Sequence, residues 1–258
     1  MKIIAFHSSK GGSGKTFLAT NIGKAFALLG KKCVIMDCDI SGPSFNTIFL
    51  SKTGSIYYSN DILLNRSSAN KAICKTNIPN LDVIFADANP ILGEGLLSFQ
   101  ESIHVHALRN LSNTGRQLSD LNYDILLIDT SPGFSPVSVN ALLVAQTVIV
   151  VVRPDSYSLQ TTNYILQTVY SKIKDSAIGS KKFFVVFNQI PHAAPEEIEN
   201  ILTLYEMELR KNLDINVLGH IYCMCRDVGT SLIQTPLLDE GSSGMDTILS
   251  ITKQLLEN

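Results

Sequence analysis

The residues of this chain that could do chemistry begin with the segment Lys10-Gly11-Gly12-Ser13-Gly14-Lys15-Thr16. Its glycines allow backbone N–H groups to close on phosphate oxygens, and a helix that starts here adds positive potential. Lys15 can reach the β- and γ-phosphates of a nucleotide, and the Thr16 hydroxyl can bind Mg²⁺. The plain alternative is a flexible turn with incidental lysines. Seven consecutive matching positions between an apolar run and a helical pattern favour a phosphate-binding loop, called here the phosphate loop (residues 10–16).

Two further segments place carboxylates directly after apolar runs. Asp37 and Asp39 follow the second run of the chain, and Asp129 follows Ile125-Leu126-Leu127-Ile128. A carboxylate at the end of an apolar strand beside the phosphate loop lies where a Mg²⁺ shell needs one. Taken alone, Asp129 could simply end a strand, but its position after a phosphate loop favours the metal.

The phosphate loop has the K-G-G-x-G-K-T pattern of the deviant Walker A motif, so the sequence resembles the ParA/MinD family of P-loop ATPases. That family includes Mrp-type proteins and the nitrogenase iron protein. The resemblance implies that Lys10 reaches across a dimer interface to the partner's nucleotide. It also implies that Asp39 orients the attacking water, and that residues 130–133 after Asp129 form the switch II segment. The tail Gly42-Pro43-Ser44 after Asp39 is closest to the Mrp branch.

The base of the nucleotide is expected to be adenine. No N/T-K-x-D pattern of GTP-binding proteins follows the apolar run 183–187, whereas the resemblance implies that Asn188 hydrogen-bonds adenine. An amide offers both a donor and an acceptor, which suits the adenine edge. The alternative is that Asn188 only starts a turn.

Motif and resemblance together give one set of candidate residues. The nucleotide-binding residues are Lys10, Gly11, Gly12, Ser13, Gly14, Lys15, Thr16, Phe17 and Asn188. The catalytic residues are Lys10 and Asp39, and the metal ligands are Thr16, Asp39 and Asp129. The sequence departs from the family at Phe17, where a second Thr or Ser is usual, and at residues 219–225, where a proline usually lies against the base.

The elements that must position these residues form an alternating pattern. Apolar runs predict strands at residues 2–6, 33–36, 81–85, 125–128, 148–152, 183–187 and 215–221. Helical patterns cover residues 16–29, ended by Gly30, and residues 195–211 and 245–256. Strands that are apolar on both faces belong inside a parallel sheet covered on each side. We therefore expect an α/β fold, a single doubly wound, mostly parallel sheet with helices on both faces, in one domain over residues 1–258.

Composition limits the setting of the protein. The chain has 258 residues, 45% of them hydrophobic, and a net charge of −2, so nothing demands a nucleic-acid partner. Lysines 172, 174, 181 and 182 form a modest basic cluster that is usually just solvated, but the resemblance allows non-specific DNA binding. No apolar run approaches the roughly 20 residues that cross a bilayer. The tail 246–258 has one basic residue, which predicts no C-terminal membrane helix, and the expected location is the cytoplasm.

Five cysteines, at positions 33, 38, 74, 223 and 225, are expected to be reduced thiols. Cys223 and Cys225 could supply only two of the usual four ligands of a metal site. His7 follows the first run, and nothing in the sequence pairs with it.

The resemblance implies a slow, Mg²⁺-dependent ATPase that forms a homodimer around ATP and acts as a switch for an unidentified activating partner. Such switches position DNA, division, flagellar or other machinery. Two alternatives stay open. Gly42-Pro43-Ser44 with Cys223 and Cys225 suggests an Mrp-like carrier of iron–sulfur clusters. Phe17 and the altered base loop suggest a degenerate adaptor that binds nucleotide without hydrolysis.

Overall fold

An eight-stranded sheet organises the chain in the computed structural model, which describes residues 1–49, 57–87, 89, 96, 100–176, 181–192, 195–213, 215–223 and 237–257. The strands are β1 Lys2–His7, β2 Cys33–Cys38, β3 Cys74–Lys75, β4 Leu81–Ile84, β5 Ile125–Thr130, β6 Thr147–Val152, β7 Lys182–Ile190 and β8 Asn216–Tyr222. Their order is β3-β4-β2-β5-β1-β6-β7-β8, and every pairing is parallel except that of β3 with β4. The first strand therefore lies at the centre, between β5 and β6.

The seven predicted strands all form, and the apolar residues of the central strands are buried on both faces. Every residue of β2, β5 and β6 is buried, as expected for the interior of a parallel sheet. The short edge strand β3 was not predicted, since two residues carry no periodic signal. Strand β7 runs three residues beyond the predicted end, because Ile190 still pairs with Tyr222 of β8.

Helices cover both faces of the sheet. They are α1 Lys15–Leu28, α2 Phe45–Ile48, α3 Ser59–Leu63, α4 Ala69–Ala72, α5 Glu101–Asp120, α6 Pro136–Val144, α7 Ser156–Ile165, α8 Ser171–Ser176, α9 Pro195–Leu213 and α10 Ser243–Glu257. A π-helical turn, Leu166–Tyr170, joins α7 to α8. One core cluster packs α1, α2 and α10 on one face, and the other packs α3 to α6 and α9 on the opposite face. The predicted doubly wound α/β fold is confirmed.

The C-terminal helix α10 packs its apolar side on the protein. Met245, Ile248, Ile251 and Leu255 are buried, and Gly219 of β8 lies so close that an added Cβ would be 2.9 Å from Ile251. The amide of Gln254 donates to the backbone oxygen of Leu218 at 3.1 Å. Among the described residues, no helix combines the length and the apolar character that crossing a membrane requires.

The predicted basic cluster is wrong for one of its members. Lys181 is 8% exposed, and its ammonium group donates to the backbone oxygens of Leu142 at 2.8 Å and Leu143 at 3.2 Å, and to that of Ala145. It therefore caps the C-terminus of α6, where a cation complements the carbonyl groups. Burial lowers the pKa of Lys181 to about 8.

Candidate nucleotide-binding site

The carboxyl ends of three adjacent strands assemble the site. In the register of the sheet, Phe6 of β1 lies beside Asp129 of β5, and Asp129 lies beside Asp37 of β2. The phosphate loop follows β1 directly, so it meets both carboxylates at one edge of the sheet. This is the edge at which doubly wound sheets bind their ligands.

The backbone of the phosphate loop requires glycine at two positions. Gly12 has φ 76° and Gly14 has φ 88°, values that side chains other than glycine rarely adopt. At Gly14 an added Cβ would also lie 2.1 Å from the amide nitrogen of Asn188. Gly14 therefore serves both the turn and a close approach of β7.

Two amides at the end of β7 clamp the phosphate loop. Asn188 is 3% exposed and donates to the Ser13 carbonyl oxygen at 2.8 Å. Gln189, held at φ 59°, donates to the Gly12 carbonyl oxygen at 3.0 Å. No pattern in the sequence predicted the role of Gln189. The structure thus gives Asn188 a task in shaping the loop, while its contact with adenine stays a prediction.

Lys15, Thr16 and Asp129 lie together beneath the loop. The Thr16 hydroxyl donates to Asp129 Oδ2 at 2.6 Å. Burial raises the pKa of Asp129 to about 7, against the lowering effects of the Thr16 hydrogen bond and the Lys15 charge. Burial likewise lowers the pKa of Lys15, although Asp129 and Asp39 favour its charged form. The buried atoms Asp129 Oδ1 and Ser13 Oγ have no hydrogen-bond partner, which fits a site whose oxygens bind a ligand.

Asp37, which was not among the predicted site residues, is fully buried. Its carboxylate accepts hydrogen bonds from the backbone N–H of Asp39 at 2.9 Å and of Ser44 at 3.3 Å. Burial, reinforced by the charge of Asp129, raises the pKa of Asp37 to about 8. Asp37 therefore folds the loop that carries Asp39.

Asp39 is half-buried and faces its own turn. Its Oδ1 accepts hydrogen bonds from the Ser41 hydroxyl at 2.8 Å and from the Gly42 N–H at 3.2 Å. Within the described part of the chain, the other carboxylate oxygen of Asp39 makes no hydrogen bond. Asp39 is near enough to influence Lys15 and Asp129 electrostatically, so the structure brings all the predicted metal and phosphate groups to one place.

The donor set fits Mg²⁺. Its members are carboxylate and hydroxyl oxygens, the hard ligands that this ion prefers. Within the described part of the chain, no group of three or more His, Cys, Asp or Glu side chains could hold a metal by itself. That agrees with a site in which one or two protein ligands share Mg²⁺ with the phosphates of the nucleotide.

Lys10 and Phe17 flank the loop on different sides. Lys10 is half-buried and lines a cavity of about 240 Å³ between the phosphate loop and the end of β6, together with Ser9, Gly11, Ser13, Val152 and Arg153. The Phe17 side chain packs against the core cluster of α1. A phenyl ring has no hydrogen-bonding group, so a phosphate contact through the backbone N–H of Phe17 stays a prediction.

The cysteines divide into two groups. Cys33, Cys38 and Cys74 are buried, free thiols, as predicted. Cys223 is disulfide-bonded, so the prediction of a reduced thiol is wrong there. Cys225 lies outside the described residues. A disulfide at Cys223 removes the thiolate that an iron–sulfur site would need.

Comparisons with known protein sequences agree with this geometry. Residues 1–181 match a family described as an AAA domain. Soj, the sporulation initiation inhibitor protein of Bacillus subtilis, is 31% identical over 272 residues that cover 100% of this chain and 99% of Soj. The chromosome partitioning protein ParA of Caulobacter vibrioides is 28% identical over 169 residues, 66% of this chain and 62% of ParA. These matches do not favour the Mrp-like alternative.

Solved structures share the fold. The septum site-determining protein MinD of Pyrococcus horikoshii, complexed with Mg-ADP, has a TM-score of 0.69 at 19% identity, covering 98% of this chain and 95% of that one. An ATP complex of a substituted McdA from Cyanothece has a TM-score of 0.79 at 16% identity, covering 100% and 96%. Both proteins hold an adenine nucleotide on the same architecture.

Proposed function

Because this chain belongs to the ParA/MinD family of P-loop ATPases and is an ATP-binding and ATP-hydrolysing switch that uses Mg²⁺, we propose how its residues divide that work. The observation that carries the proposal is the Thr16–Asp129 hydrogen bond beneath the phosphate loop. Beside it the buried Asp129 Oδ1 has no partner. Proteins bind a Mg²⁺·nucleotide complex with an oriented carboxylate and hydroxyl that still have an oxygen available to the metal shell.

The phosphate loop binds and orients the triphosphate. Its backbone N–H groups and Lys15 hold the phosphate oxygens, and the clamp of Asn188 and Gln189 keeps the loop in shape before the nucleotide arrives. Thr16, Asp39 and Asp129 would hold Mg²⁺, which would neutralise developing charge on the phosphates. A preformed cradle costs little reorganisation at the moment of reaction.

Asp39 orients the attacking water. Its carboxylate is fixed through one oxygen by Ser41 and Gly42, and Asp37 fixes the backbone beneath it. A residue held in this way can point its other oxygen at a nucleophile for in-line attack on the γ-phosphate.

Lys10 acts on the nucleotide of a second protomer. It lies outside the glycine cradle, at the rim of a cavity that opens beside the loop, whereas Lys15 is buried at its base. Two protomers facing each other would exchange their Lys10 side chains across a two-fold axis. Loss of the γ-phosphate then loosens the segments after Asp37 and Asp129, and the dimer opens.

The chain works as one domain over residues 1–258, and its switch serves a partner. Relatives are named for chromosome partitioning and for determining the septum site. DNA-bound or division machinery is therefore the class of partner that we propose, with an activating protein that speeds hydrolysis.

The test is the Asp39→Ala variant. It should bind ATP about as well as wild type and accumulate as an ATP-bound dimer, with hydrolysis slowed ~10²–10⁴-fold, the usual loss for a positioned acid–base group. Size-exclusion chromatography with ATP and Mg²⁺, beside a phosphate-release assay, measures both. Asp120→Ala removes an exposed carboxylate at the end of α5 and is the matched control. A monomeric Asp39→Ala variant, or one with wild-type turnover, would contradict the role of Asp39.

The second candidate function, a nucleotide-binding adaptor without turnover, is motivated by the packed Phe17 side chain. It predicts no phosphate release above background from the wild-type protein at any Mg²⁺ concentration, with nucleotide binding retained.

A further inference from the structure

A buried histidine joins the phosphate loop to the switch II segment. His7 ends β1 and has no exposed surface. Its Nε2 lies 2.6 Å from the Gly133 carbonyl oxygen, and its Nδ1 is hydrogen-bonded to the Tyr170 hydroxyl. No step of the proposed chemistry uses this group, although it lies three residues before Lys10.

The hydrogen-bond partners of His7 determine which of its ring nitrogens carries the proton. A carbonyl oxygen only accepts, so Nε2 of His7 carries the proton and donates it to Gly133. The Tyr170 hydroxyl then donates to Nδ1. Burial lowers the pKa of His7 to about 4, with the nearby Lys15 charge acting in the same direction and the Gly133 bond opposing it. The imidazole is therefore neutral near pH 7, and each of its nitrogens has one defined partner.

Gly133 is held from both sides. Its N–H donates to the Ser8 carbonyl oxygen at 2.9 Å while its own carbonyl oxygen accepts from His7. Its φ of 73° lets the backbone make both contacts. Next to it, the Phe134 ring lies 4.8 Å from the His7 ring and 5.7 Å from the Tyr170 ring. The switch II segment is thus bound to the strand that carries the phosphate loop.

Tyr170 closes the arrangement from the opposite side. It is the last residue of the π-helical turn between α7 and α8, is 1% exposed, and packs against Phe183 with ring centroids 5.5 Å apart. Single π-helical turns inside helices are frequent at functional sites. Here the side chain of the last residue in the turn reaches the imidazole.

We propose that His7 and Tyr170 are positioning residues for ATP hydrolysis, which hold the switch II segment against the base of the phosphate loop. The inference rests on the proposed function, because it assigns a task within the same reaction. Both side chains are buried, so neither is assigned a contact with the nucleotide. They act through Gly133, because the position of Gly133 sets the path of the backbone between Asp129 and the γ-phosphate end of the site.

The physical consequence is a loss of turnover without a loss of binding. Tyr170→Phe keeps the ring and its packing but removes the hydroxyl, so Nδ1 of His7 loses its donor and the imidazole loses its orientation. The phosphate loop itself keeps all its contacts. We expect kcat to fall about tenfold, the size expected from one net buried hydrogen bond, with KM for ATP changed less than twofold.

Two histidine variants separate the two hydrogen bonds. Glutamine places an amide N–H near the position of Nε2 but offers no acceptor to Tyr170, so His7→Gln should keep the Gly133 contact and lower kcat only about as far as Tyr170→Phe. Asparagine places an amide near Nδ1 but does not reach Gly133, so His7→Asn should lower kcat further than Tyr170→Phe. A smaller loss of kcat with glutamine than with asparagine is a pattern that a general loss of stability would not give.

Tyr123→Phe is the matched control. This tyrosine is also buried, and its hydroxyl donates to Asp82 at 2.5 Å, but Asp82 belongs to β4, at the opposite ends of the strands from the phosphate loop. Its removal should lower the melting temperature and leave kcat unchanged.

Steady-state kinetics with ATP and Mg²⁺, together with hydrogen exchange of the amides at 131 and 133–135, test the proposal. Faster exchange in Tyr170→Phe and His7→Asn, with the kcat loss above, supports it. Wild-type kcat in Tyr170→Phe, equal losses in His7→Gln and His7→Asn, or a raised KM with unchanged kcat would overturn it. A wild-type protein that neither releases phosphate nor dimerises would instead refute the proposed function. If one variant does not fold, the remaining pair still decides.

Discussion

Acid should weaken the folded protein through a single buried histidine, His7. Its pKa is about 4 in the folded chain, mainly because burial disfavours the charged form, against an ordinary value of 6.5. Below pH 6.5 the unfolded chain therefore binds a proton that the folded chain does not. The contribution of neutral His7 to the free energy of unfolding is complete above pH 6.5 and is lost as the pH falls towards 4.

The size of the effect follows from the two pKa values. The full difference corresponds to about 3 kcal/mol, and at pH 5 about 2 kcal/mol of it has been lost relative to pH 7. Asp37 and Asp129 titrate in the opposite sense, because their pKa values are raised to about 8 and about 7. Their contribution is complete at low pH and is lost as the pH rises. The pH dependence of the unfolding free energy of wild type therefore contains contributions of both signs. The difference between wild type and a His7 variant isolates the contribution of His7.

Urea unfolding of nucleotide-free, Mg²⁺-free protein at pH 7 and pH 5 measures this difference. Between the two pH values, wild type should lose about 2 kcal/mol more unfolding free energy than His7→Gln, which has no group to protonate. His106→Gln, at an exposed histidine of α5, controls for the loss of a histidine as such. If wild type and His7→Gln lose the same free energy, the histidine is not held neutral by burial and the reasoning is wrong.

Three further comparisons between variants have defined outcomes. Lys15→Ala should nearly abolish ATP binding, whereas Lys10→Ala should spare binding and lose ATP-dependent dimerisation; equal affinity losses by calorimetry would contradict the trans position of Lys10. Gly14→Ala should lower the free energy of unfolding by more than the ~1–2 kcal/mol that an alanine in the left-handed region costs, because its Cβ would clash with Asn188. Adding Asn188→Ala should restore only the part of the loss that this clash causes. A double-mutant cycle of urea unfolding measures that part. Relative to Asp129→Asn, Mg²⁺-free wild type should lose stability as the pH rises from 5 to 8, because the raised pKa of Asp129 makes the protonated form the stable one; parallel pH profiles would refute this.

The elements that the sequence predicted well are those with local signals. The phosphate loop is one continuous motif, so its strand and helix follow from it directly. Central strands are apolar on both faces, which only a covered parallel sheet explains. Asp129 was found because it ends such a strand.

The contacts that were missed join distant parts of the chain. Asn188 and Gln189 lie 175 and 177 residues from the loop carbonyls that they clamp. His7 meets Tyr170 across 163 positions. From the sequence, Lys181 is predicted to belong to a surface cluster. In the structure, tertiary packing places the end of α6 against its ammonium group. None of these pairs has a periodic or short-range pattern, because tertiary structure alone brings them together.

The most direct test of the shared, dimeric site is to mix two inactive variants. If Lys10 acts in trans and Asp39 in cis, a mixed dimer of Lys10→Ala and Asp39→Ala contains one complete site, made of Asp39 from the first protomer and Lys10 from the second. An equimolar mixture should then recover at most about a quarter of wild-type phosphate release, the value for random pairing, in which half of the dimers are mixed and each has one working site of two. Phosphate release no greater than the sum of the separate variants, in mixtures where a tag on one variant shows that mixed dimers form, would contradict the trans arrangement.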